Sequence, residues 1–184
     1  MTLDQFSTLL AVGSIGLLLY LLVVGALSLV SKKTRDKIRN RKYFHYIYVL
    51  AGISLAATVG SLVYQLVYET PVCELCWWQR IFIYPIVVIT LVSLWNKAKE
   101  AHIMTGILSL FGIFFASYHY YYHFKGFVLG QKLTLPCTYG GLLPACTDSP
   151  ILIFGFVTIP FLALMVFGSM LIVSLFAHFA HQRN

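Results

Sequence analysis

The chain has 184 residues, of which 59% are hydrophobic and only 10% charged, and its mean hydropathy is +0.82. A soluble domain carries about 25% charged residues, so this composition excludes an ordinary water-soluble globule and fits one compact unit that uses lipid as its solvent. The net charge of +7 does not call for nucleic acid as a partner: its main block is one short run between apolar segments, suited to anionic lipid headgroups.

The elements follow from runs without Asp, Glu, Lys or Arg, because a spanning helix needs roughly 20 apolar residues. Residues 5–31 form the first such run and predict a helix over about 7–31. Asp4 stands where a signal peptide has positive charge, the apolar stretch is too long for one, and the cations follow it, so an uncleaved helix with its N-terminus outside is expected. A basic link, 32–44, comes next, with seven Lys or Arg between 32 and 42. The run 43–68 predicts a second helix at about 45–67. A short turn at 68–75 makes its successor an antiparallel neighbour. The third helix, about 76–96, takes in Arg80 near its end, and the fourth covers about 102–124. A loop over about 125–149 carries Gly126, Gly130, Pro136, Gly140, Gly141 and Pro144, a density that disfavours a regular helix. The run 149–182 predicts a fifth helix at about 150–178, and Pro85 and Pro160 are expected to kink their helices. The fold class expected is all-α, a polytopic membrane helical bundle.

With five spans, residues 32–42, Lys97, Lys99 and Arg183 share one side, ten of the thirteen positive charges. Arg80, Lys125 and Lys132 remain for the other. Cations accumulate in cytoplasmic loops, so the N-terminus is expected outside, the C-terminus inside, and all four cysteines on the extracytoplasmic side, where disulfides persist.

Cys73-Glu-Leu-Cys76, followed by Trp77-Trp78-Gln79-Arg80, opens the third helix. Two cysteines at this spacing form a reversible disulfide or half of a metal site, and a helix N-terminus favours the thiolate. Cys137 and Cys146 lie in the Gly/Pro loop. They read either as a structural staple, stabilising by roughly 3 kcal/mol in the chain-entropy model, or as a mobile pair that exchanges disulfides with two partners. An all-thiolate zinc site is disfavoured, because the second pair lacks the spacing of two to four residues; no metal is expected.

Arg80 is four residues after Cys76, on the same helical face. It is read as stabilising the Cys76 thiolate and binding a cofactor carbonyl, or as an interfacial arginine that snorkels to lipid phosphate. His119 and His123 share a face at the outer end of the fourth helix. Either can donate a hydrogen bond to a bound ring, and the tyrosines around them, with Trp77 and Trp78, suit the aromatic belt. His45, His102, His178 and His181 read as ordinary interfacial residues near the cytoplasmic surface, and Glu69, Glu74 and Asp148 as solvated ones.

A Cys-x-x-Cys at the mouth of a helix, Arg four positions after its second cysteine, and a Cys pair one hairpin later in an outer loop resemble the DsbB/BdbC family of bacterial disulfide-forming membrane proteins. Cys73-Glu-Leu-Cys76-Trp-Trp-Gln-Arg80 is the most specific part, with Ala-Ser-Tyr-His119 similar to the family's third core helix. The resemblance implies a four-helix thiol oxidase core over 44–184, including the outer loop 125–149, preceded by an extra helix and basic link over 1–43. It implies a thiol–disulfide oxidoreductase that reoxidises a thioredoxin-like extracytoplasmic oxidase and passes electrons to a membrane quinone, menaquinone or ubiquinone. By matching position, Cys137 receives the partner's thiolate, Cys146 connects the loop pair to the helix pair through Cys73, and Cys76 beside Arg80 reduces the quinone. Vitamin K epoxide reductases are a related alternative, but there the loop pair precedes the Cys-x-x-Cys. A non-enzymatic membrane scaffold with structural disulfides is the alternative from another class.

Overall fold

A computed structural model describes residues 2–130 and 151–182. Among the described residues the chain forms six helices: α1 (Leu3–Val30), α2 (Lys32–Arg39), α3 (Tyr43–Leu66), α4 (Glu74–Asn96), α5 (Ala101–His123) and α6 (Ile159–His181). Five of them, all but α2, are long and apolar enough to cross a membrane. A π-helical turn, Phe124–Val128, prolongs α5.

Helices α3, α4, α5 and α6 form a closed cycle, α3 packing on α4 and α6, and α5 on α4 and α6. Helix α1 lies outside the cycle, mainly against α6. The core runs through the middle, with Ile47, Leu50, Ile86, Ala116, Phe167 and Met170 fully buried or nearly so, while most of α1 faces outward. In lipid there is little hydrophobic drive between helices, so close approach of small residues and polar pairs supply the contact. Gly112 of α5 shows this: a Cβ there would lie 2.4 Å from the Phe167 ring of α6. Nearby, the hydroxyls of Thr105 and Ser174 are 3.0 Å apart.

Local chemistry sets the helix ends. Thr2 and Gln5 form a reciprocal cap at the start of α1. At its other end Arg35 donates to the carbonyls of Ser28 and Leu29, both at 3.1 Å, groups that a helix C-terminus leaves without an intrahelical donor. That bond orders the basic link, which is therefore not the plain loop expected: it contains α2, pinned by Tyr46 Oη donating to the Ile38 carbonyl at 2.9 Å. The α3–α4 turn is closed by Thr70, whose backbone N–H and hydroxyl both donate to the Tyr64 carbonyl.

The last helix begins later than the expected 150. Ile153 and Val157 pair as an isolated antiparallel bridge around Phe154 and Gly155, both with positive φ, and Thr158 stands at the N-cap position of α6 without a side-chain capping bond. Pro160 consequently sits in the first turn of α6 and makes no kink, because a first-turn N–H has no intrahelical partner to lose. Pro85 does lie inside α4. His102, expected at the surface, is buried: its ring nitrogens lie 3.3 Å from Tyr43 Oη and 3.2 Å from His178 Nδ1.

Candidate functional site

Cys73 is the N-cap of α4 and Cys76 lies in its first turn, so both sulfurs sit at the positive end of the helix dipole. The sulfurs are 3.1 Å apart. Cys73 is 5% exposed, and Leu75, Phe115 and Tyr118 pack around the pair. Proximity and the helix dipole favour a reactive pair, with Cys76 the more accessible sulfur, while the burial of Cys73 works against its thiolate.

Helix α5 delivers His119 to this pair. The side chain is 2% exposed; Nε2 lies 3.6 Å from Cys73 Sγ and Nδ1 lies 3.1 Å from Gln79 Nε2. Gln79 is buried and shares a face with Cys76 at i, i+3. With the amide donating to Nδ1, the imidazole carries its hydrogen on Nε2, aimed at the Cys73 sulfur, where it can support a thiolate or pass a proton. His123 is also buried, its ring centroid 6.3 Å from that of His119. Cys73 Sγ, Cys76 Sγ and a His119 ring nitrogen all lie within 4.8 Å of one another. This donor set can hold a soft cation only while both sulfurs are reduced.

Arg80 points inward instead of snorkelling. It is 6% exposed; Nε donates to Ser61 Oγ at 2.9 Å, one terminal nitrogen to the Ser61 carbonyl at 3.1 Å, and the other to Gln65 Oε1. The guanidinium carbon lies 5.2 Å from the Trp77 ring centroid. These bonds use three of the five N–H groups of the fork and lock Arg80 to α3.

Cys76, Gln79 and Arg80 open onto a cavity of about 420 Å³ among α1, α3, α4 and α6. Its walls are otherwise mostly apolar, with Ser61 and Tyr64 among the polar exceptions. That volume is in the range of small-molecule and cofactor sites, which combine apolar walls with a few orienting polar groups. Arg80 thus lines the cavity, whereas His119 and His123 are not among its lining residues and His119 faces Cys73. Cys137 and Cys146 lie outside the described residues. Sequence reasoning missed Ser61 and Gln65 as anchors and Gln79 as a partner of His119. The readable signal was a polar pair at i, i+4 within an otherwise apolar run.

The comparisons with known proteins agree with this chemistry. Residues 43–177 match the family model described as disulfide bond formation protein DsbB. The chain is 33% identical over 139 residues to the probable disulfide formation protein C 1 of Bacillus anthracis, covering 74% of this chain and 94% of that one. It is 34% identical over 122 residues to disulfide bond formation protein C of Bacillus subtilis (66% and 84%). To the probable disulfide formation protein of Coxiella burnetii it is 33% identical over 112 residues (61% and 73%). No solved structure gives a significant match.

Proposed function

This chain belongs to the DsbB family of disulfide bond formation proteins, and from that premise we propose that it is a multi-pass thiol oxidase of the bacterial cell membrane that reoxidises a thioredoxin-like extracytoplasmic oxidase and delivers the electrons to a membrane quinone. The observation that carries the quinone reading is the cavity with Cys76 and Arg80 on its wall. A bound quinone supplies an acceptor for two electrons and two protons. The residues fit one: the three bonds of Arg80 to α3 leave part of its fork for a carbonyl oxygen, and the apolar lining suits an isoprenoid-bearing ring.

The relay is a sequence of thiol–disulfide exchanges. A thiolate of the reduced partner attacks a Cys137–Cys146 disulfide at Cys137, forming a mixed disulfide and releasing Cys146. The partner's second thiolate then attacks its own sulfur of that bond and leaves as the oxidised partner. Cys146 attacks a Cys73–Cys76 disulfide at Cys73, and Cys137 resolves the mixed disulfide, so the loop pair is oxidised again and the helix pair holds two electrons. His119 gives or takes the proton at Cys73, and Arg80 favours the thiolate of Cys76.

The test uses purified protein, a reduced thioredoxin-like oxidase and a quinone followed by absorbance. Quinone consumption should match partner thiols oxidised. Cys137→Ser should abolish reaction with the partner, and Cys76→Ser should abolish quinone reduction while mixed disulfides still form. Absence of turnover with every such partner, together with disulfides inert to dithiols, would instead indicate a membrane scaffold.

A further inference from the structure

The family match covers residues 43–177 and leaves α1 outside it. Yet five α1 residues, Leu9, Leu10, Gly13, Ser14 and Leu17, line the cavity that Cys76 and Arg80 open onto. They recur at i, i+4 and i+8 with their neighbours, one stripe of a helix. Helix α1 is held along its length, and Ala11, fully buried, clusters with Val157 and Leu162. At its outer end Tyr64 Oη donates to Ser7 Oγ at 2.9 Å, and the Phe6 ring lies 5.2 Å and 5.6 Å from those of Tyr64 and Tyr68. Further along it packs on α6, Leu18 against Gly168 and Gly25 against Phe176. Room remains on the cavity side: a Cβ built at Gly13 or Gly52 would meet nothing within 4 Å, whereas one at Gly60 would meet Leu10 at 3.6 Å. The polar groups Cys76, Gln79, Arg80 and Ser61 belong to α3 and α4, and the α1 stripe is apolar apart from Ser14.

We propose that α1 is a wall of the quinone site, Leu9, Leu10, Gly13, Ser14 and Leu17 contacting the apolar tail of the quinone while Arg80 holds its ring. This rests on the quinone reading above and adds that affinity for tailed quinones is set by a helix outside the segment that matches the family model.

Gly13→Leu tests it, because the new side chain projects into the cavity from a backbone with space for it. The KM for a long-tailed quinone should rise about tenfold or more, as expected for overpacking a binding site. The KM for a tailless quinone should change little, and single-turnover oxidation of the partner should keep its rate. Gly16→Leu is the control: its Cβ also meets nothing within 4 Å, but Gly16 does not line the cavity, so its kinetics should match the parent. A quinone carrying a photoreactive group on its tail should label the cavity-lining stripe of α1, and excess unlabelled quinone should suppress the labelling. An unchanged KM in Gly13→Leu, an equal effect in Gly16→Leu, or labelling confined to α3, α4 and α6 would overturn the role of α1 and leave the quinone reading standing. A parent protein that neither reduces nor binds any quinone would remove both.

Discussion

At the scale of single residues, the cation of Arg80 has no carboxylate partner among its named contacts; a serine, a glutamine, a carbonyl and an indole face surround it. Neutral partners hold the charge in place without cancelling it, which keeps it available to an oxygen in the cavity. Arg80→Met should therefore raise the quinone KM by roughly 10- to 150-fold, the worth of a charged hydrogen bond, with single-turnover oxidation of the partner little altered. Arg80→Lys should not restore affinity, since an ammonium cannot span Ser61 and Gln65 as the planar fork does. Parental quinone kinetics in both variants would sink this role. A second prediction concerns His119. In His119→Phe the donor to Cys73 is lost, and alkylation of the reduced Cys73 at neutral pH should slow by about tenfold, while Gln79→Leu should show a smaller slowing because the ring remains but is no longer oriented. An unchanged alkylation rate in His119→Phe would dissociate the imidazole from the thiol chemistry. The geometry of these candidates was partly legible: Cys76 to Arg80 is a fixed spacing within one helix. The pairing of His119 with Cys73 joins residues 46 positions apart and depends on how α5 lies against α4, which no local pattern encodes.

At the scale of helices, the five spans could be read directly because absence of charge over some 20 residues is dictated by the solvent and not by neighbours. What the pattern did not give were the ends, where hydrogen-bond geometry decides. The basic link reads as a loop by composition, yet α2 forms there once Arg35 caps α1. Pro160 reads as a kink until the bridge at Ile153 and Val157 moves the start of α6 to Ile159. Packing between spans was equally hidden, since Gly112 looks unremarkable in an apolar run. It is where α5 and α6 approach most tightly against Phe167. Gly112→Ala should cost about 1–3 kcal/mol, the range for overpacking, seen as a lower Tm in detergent. Gly112→Ala combined with Phe167→Leu should recover part of the loss, because the ring that occupies the space is then gone. A Tm unchanged by Gly112→Ala would mean that the two helices separate readily at this point.

At the scale of the whole molecule, internal contacts fix which ends lie together, and charge then decides which way the assembly faces. The start of α1 is joined to the end of α3 through Ser7 and Tyr64, next to the turn that carries Cys73. Tyr120, near the end of α5, donates to the Phe156 carbonyl just before α6 at 3.1 Å. The opposite end holds α2, the 97–100 turn and the cluster of Tyr43, His102 and His178. Both described cysteines, Cys73 and Cys76, are thus at the end remote from the basic link. Ten of the thirteen Lys and Arg belong to that far end by sequence, and an excess of this size is the ground for expecting it on the cytoplasmic side. The expectation can be checked without any activity assay, in a background with all four cysteines changed to serine. A single cysteine at Thr2→Cys should react with a membrane-impermeant maleimide in intact cells, whereas Asn40→Cys should react only after the membrane is opened. The converse pattern would place Cys73 and Cys76 in a reducing compartment, where a disulfide relay does not persist, and would overturn orientation and function together. Labelling of both positions in intact cells would mean that the chain inserts in two orientations, and that a bias of seven cations in one link is too weak to fix the bundle.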